Sequence, residues 1–111
     1  MNIYDTANRL AQEIKQSEEY TNYKMAKQTI NLNNDLKNKI QEFEMARYDA
    51  QITQMQTGKE DQGKMQKMKD LYAELITIDD AKKYFEAETK FNIVIADVNR
   101  IIGEAIRDIM Q

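Results

Sequence analysis

Residues 80–110 carry one helical repeat that is never interrupted, and this stretch restricts the fold more than any other. Apolar side chains recur at alternating steps of three and four through Ala81, Tyr84, Phe91, Ile95, Val98, Ile102, Ala105 and Ile109, with Glu88 the polar member of the series. Phe85, Val94, Ile101 and Ile106 flank this stripe and widen the apolar arc to roughly half the cylinder, where one neighbour needs an arc of only about 100°. The helix is therefore expected to bury two faces. At 1.5 Å per residue it is a rod of roughly 45 Å, whereas a compact domain of this length has a radius of gyration of about 13 Å. A rod of that length either bends or is covered by a second chain, and the second chain is the favoured expectation.

The remainder reads as all-α. Proline is absent and only 3 glycines occur, so the breakers that punctuate β-rich folds are missing. A first helix is predicted from Ile3 or Asp5 to Gln16, with Ala7, Leu10, Ala11 and Ile14 on one face and Asn2 or Asp5 as cap. Ser17 then caps a second helix opened by Glu18 and Glu19 and carrying Tyr20, Tyr23 and Ile30. Asn31 to Asp35 reads as a turn with the next cap at Asn34 or Asp35. A third helix follows through Leu36, Ile40, Phe43, Ala46 or Arg47, and Ala50, extending to Met55 and stopping at Gly58. After a loop from Thr57 to Gly63, a fourth helix carries Met65, Met68, Leu71, Tyr72, Leu75 and Ile76, and Asp79 and Asp80 open the last. The expected architecture is a single all-helical domain over residues 1–111, an antiparallel bundle of hairpins completed by dimerisation.

Composition narrows the chemistry. With no cysteine and no histidine, the chain lacks thiolate ligands, Cys nucleophiles and the commonest general base and metal ligand. No metal, cofactor or catalytic residue is expected, and the chain is read as no enzyme. The 16 basic and 19 acidic side chains interleave to a net charge of -3, which is unlike an electrostatic nucleic-acid binder. No apolar run is long enough to span a bilayer and no signal peptide is visible in MNIYDTANRL, so a cytoplasmic setting without membrane contact is expected.

Two stretches invite a sharper reading. Gly58 to Lys64 satisfies the G-x-x-x-x-G-K part of a phosphate-binding loop, giving nucleotide or RNA binding as the alternative function. Against it, the loop follows a polar helix rather than a strand, Met65 stands where a hydroxyl should hold the metal, and Glu60 and Asp61 repel phosphate. The second is the row Glu88, Asn92, Ala96, Asn99 and Gly103 along one flank of the last helix. Its small residues admit close approach of another helix, and its amides can set register through hydrogen bonds. With Phe91, Ile95, Val98 and Ile102 on the adjoining stripe, it is the candidate oligomer or partner interface. The 7 methionines, Met45, Met55, Met65 and Met68 among them, suit either core gap-filling or an adaptable docking surface.

Ala7, Leu10, Ala11, Ile14, Ser17-Glu18-Glu19-Tyr20 and Tyr23-Lys24 together resemble the opening of the YlbF/YmcA family of small bacterial helical proteins. The resemblance continues in order through Gly58-Lys59, Tyr84-Phe85-Glu86-Ala87-Glu88, Phe91-Asn92 and Val98-Asn99-Arg100-Ile101-Ile102, nearly the whole chain. It implies an all-α fold, a homodimer or higher homo-oligomer, no enzymatic activity, and a protein partner in a ribonuclease-regulating complex. Members of that complex carry cysteines associated with iron-sulfur clusters; this chain has none and is closer to the short, cysteine-free YheA-like branch.

Overall fold

A computed structural model describes residues 2–110. They form five helices: α1 (Ile3–Gln16), α2 (Glu18–Asn31), α3 (Asn34–Thr57), α4 (Gln62–Leu75) and α5 (Asp79–Met110), with no strand among the described residues. Each boundary has a local cause. The Asn2 carboxamide accepts from the Asp5 amide at 2.9 Å and opens α1. Ser17 both ends α1, its amide bonding the Ile14 carbonyl, and caps α2 by accepting from the Tyr20 amide at 3.2 Å. At the next boundary the cap is Asn33, one residue ahead of the predicted Asn34 or Asp35. Its extended backbone lets the carboxamide take the Leu36 amide at 3.1 Å, while Asn34 already lies inside the helix. Asn33→Ala leaves that amide unpaired and is expected to cost about 1 kcal/mol, read by urea denaturation.

Gly58 ends α3 with φ 74, a left-handed conformation open to glycine without penalty, and its amide bonds the Gln54 carbonyl. The link to α4 is shorter than predicted, residues 58–61, because Asp61 caps α4 through the Lys64 amide at 3.0 Å.

The chain divides into two compact units, residues 1–26 with 85–111, and residues 27–84. The second holds almost all of the core. Within it α3 and α4 form the expected antiparallel hairpin, since paired residues run in opposite directions: Lys39 with Glu74, Phe43 with Tyr72, Asp49 with Lys64. Leu36, Ile40, Phe43, Ala46 and Ala50 line the inner face of α3 and are buried together with Ile30, Leu75, Ala81 and Tyr84. Met55, read as the end of that inner row, is instead 80% exposed. It lies five residues beyond Ala50, well over a turn, and so faces away from the row.

In the first unit α1 buries no residue, although its apolar side chains follow the helical period. Among the described residues of this unit only Phe85 is buried.

Candidate protein interface

The site is built on α5 within the first unit. Two aromatic side chains of α2 meet it: the Tyr20 ring stands edge-on to Phe91 at 5.8 Å between centroids, and Tyr23 is tilted against the same ring at 5.6 Å. Both are within the range in which the edge of one ring meets the negative face of another favourably. The Tyr23 hydroxyl donates to Glu88 Oε2 at 3.3 Å, which gives the one polar member of the stripe a partner. Glu88, Phe91, Val94, Ile95 and Val98 are half-buried.

The eight residues singled out from the sequence separate into two groups. Glu88, Phe91, Ile95 and Val98 form the half-buried row just described, while Asn92, Asn99, Ile102 and Gly103 are exposed. A side chain placed at Gly103 would meet nothing within 4 Å, so that flank is open in the protomer. Ile102 is 49% exposed, and past it Ile106 and Ile109 continue the apolar stripe uncovered to the end of the helix. On α1, Ile3 and Tyr4 are exposed to a similar or greater degree. Arg100 is held by Asp97 at 3.8 Å and Glu104 at 3.5 Å, which keeps the charges on the face remote from the stripe. The arrangement leaves a contiguous apolar strip with a narrow border of amides, which is the composition of a helix-helix contact.

Sequence reasoning did not find Tyr20 and Tyr23 as the partners of Phe91. Tyr23 and Glu88 are 65 positions apart, and no local pattern reports such a pairing. The glycine-containing loop shows helix-turn-helix geometry. The Lys64 amide is engaged by Asp61, and its ammonium is held by Thr53 Oγ1 at 2.7 Å and Asp49 Oδ1 at 3.2 Å. Among the described residues no group of three acidic side chains is placed to hold a metal ion, and no helix is long and apolar enough to cross a membrane.

With this geometry in view, the likeness to known proteins is informative. The family described as "Control of competence regulator ComK, YlbF/YmcA" matches residues 3–107. A UPF0342 protein of Desulfitobacterium hafniense is 38% identical over 110 residues, covering 99% of this chain and 89% of its own. Another from Clostridium novyi is 33% identical, covering 97% and 95%. Among solved structures, Bacillus subtilis RicA, crystallised in complex with RicF, superposes with a TM-score of 0.61 at 22% identity over 98% of this chain and 96% of RicA. That likeness establishes the shared helical fold. A match from the first helix to within a few residues of the end, joined to relatives above 30% identity over nearly full length, establishes that the chain belongs to the YlbF/YmcA family.

Proposed function

We propose that the chain is a non-catalytic helical interaction protein that self-associates through α5 and docks on a cytoplasmic partner belonging to an RNA-processing complex. One observation carries the self-association: a unit of two helical segments and the greater part of α5 buries only Phe85 among its described residues. Ordering a residue's backbone costs about 1–2 kcal/mol, and a single buried ring does not offset that for some fifty residues. The exposed isoleucines of α5 supply the missing burial once another chain covers them. The docking role is supported by family membership and by the example of RicA, a fold relative whose structure was determined with a protein partner. The composition, with neither histidine nor cysteine, favours binding over catalysis.

The test is recovery of the tagged chain from its own host, with identification of its companions and of the mass of the assembly. The expected result is a homo-oligomer accompanied in stoichiometric amount by components of a ribonuclease complex. A homo-oligomer recovered alone removes the RNA-processing part, and a monomer removes the self-association.

A further inference from the structure

A second apolar surface lies on the other unit, and it has the spacing of a coiled-coil seam. On α3, Asn34, Asn38, Gln41, Met45, Tyr48, Ile52 and Met55 follow one another at steps of four, three, four, three, four and three. This row is opposite the core-facing one. Met45 is two residues from Phe43, and Ile52 two from Ala50, and two residues turn a helix by a little over half a revolution. Met45, Tyr48 and Met55 are 73%, 65% and 80% exposed, and an open groove of about 630 Å³ lies along the seam from Gln41 to Ile52, lined by Gln41, Glu44, Met45, Tyr48, Asp49 and Ile52. The apolar half of the seam is its C-terminal half.

We propose that this seam binds the same seam of a second copy, antiparallel, with the two-fold axis crossing the seam at the height of residue 50, midway between Tyr48 and Ile52. In that register Met45 packs over Met55 of the second copy and Tyr48 over its Ile52, and symmetry repeats both, giving four apolar layers. Asn34, Asn38 and Gln41 fall outside the overlap and stay in water. A parallel pairing would bury all three.

The charges beside the seam select the same arrangement. In a parallel pair Glu44 faces Asp49 of the other copy, twice, with like sign. In the antiparallel register Gln51 meets Gln51, Glu42 meets Gln56, and Glu44 lies beside the segment that carries Lys59 of the second copy. Asp49 meets its own equivalent, but each is already paired with Lys64 at 3.2 Å, and Lys67 lines the same edge. That edge therefore holds Glu42 and Asp49 against Lys64 and Lys67, a balanced set that two-fold symmetry brings together without net repulsion. A strongly basic or acidic partner helix would find no matching excess there. The seam is separate from the α5 strip and does not depend on it.

Because the chain has no cysteine, introduced thiols report the contact directly. Met45→Cys/Met55→Cys is expected to give, under mild oxidation, a covalent species of twice 13.1 kDa in which position 45 of one copy is joined to position 55 of the other. The two positions are about 15 Å apart along one helix, beyond the roughly 7 Å that a disulfide spans, so closure within one chain is ruled out. Each single variant is expected to stay uncross-linked. Absence of the covalent pair, or 45-to-45 and 55-to-55 links, overturns the proposal. The link must also survive addition of Ile102→Asp, and its loss there would overturn the independence of the two surfaces. Failure of the α5 contact itself registers differently, as an unchanged mass for Ile102→Asp alone.

Discussion

Leu75→Ala is expected to lower the unfolding free energy of residues 27–84 by about 2–5 kcal/mol. Leu75 is the large side chain that the fold covers most completely, at 1% exposure, and it closes α4 just before the turn into α5. The hairpin leaves little else to compensate: its inner face is built from Leu36, Ile40 and Phe43 with two alanines, and Ala81 is wholly covered nearby. Removing three carbons creates a cavity whose walls are held by helix backbones on either side, so collapse is restricted and the cost exceeds the transfer energy alone. Urea denaturation followed by circular dichroism measures it. The matched control is Met45→Ala, 73% exposed, which should leave the protomer within about 0.5 kcal/mol of the wild type at concentrations where it is unassociated. A Leu75→Ala loss below about 1 kcal/mol would mean that the hairpin core is looser than its burial indicates.

How far the sequence discloses the fold differs between helices for physical reasons. α5 is legible almost to the residue, predicted from Asp80 and observed as Asp79–Met110, because one apolar series runs through it without a breaker. α3 is harder. Two apolar rows on opposite faces cancel the one-sided signature, so Met55 reads as the end of the inner row when it belongs to the outer. Only the four-three alternation from Met45 to Met55 separates them. At residues 31–35 three asparagines and an aspartate can all cap a helix, and the choice of Asn33 is made by where the chain leaves α2, not by residue type. The methionines likewise divide by position: Met65 and Met68 are half-buried on α4, whereas Met45 and Met55 face outward. For the candidate interface, the stripe and its amide border are readable from spacing. The covering of Phe91 by Tyr20 and Tyr23 is not, because it depends on how two distant helical segments meet.

Ile102→Asp is expected to lower the assembly state, with the association constant reduced by about 100-fold or more. A carboxylate placed in an apolar contact without a partner costs several kcal/mol, and each 1.4 kcal/mol is tenfold in affinity. Val98→Asp should act in the same direction and more strongly, but Val98 is half-buried within the protomer, so part of its effect falls on the helix packing itself. Ile102 is 49% exposed before any association, which makes it the cleaner probe: its replacement removes the contact while leaving protomer packing little changed. Sedimentation across a concentration series, with helix content monitored in parallel, distinguishes the two effects. Arg107→Asp serves as the charge control, since Arg107 is exposed and the helical repeat places it well over 90° around α5 from Ile95, Val98 and Ile102. It changes net charge by two where Ile102→Asp changes it by one, yet it should leave the mass unaltered. If Ile102→Asp and Val98→Asp both retain helix content and wild-type mass, the uncovered stripe of α5 is not where copies of the chain meet, and its exposed isoleucines are left for a different protein to cover.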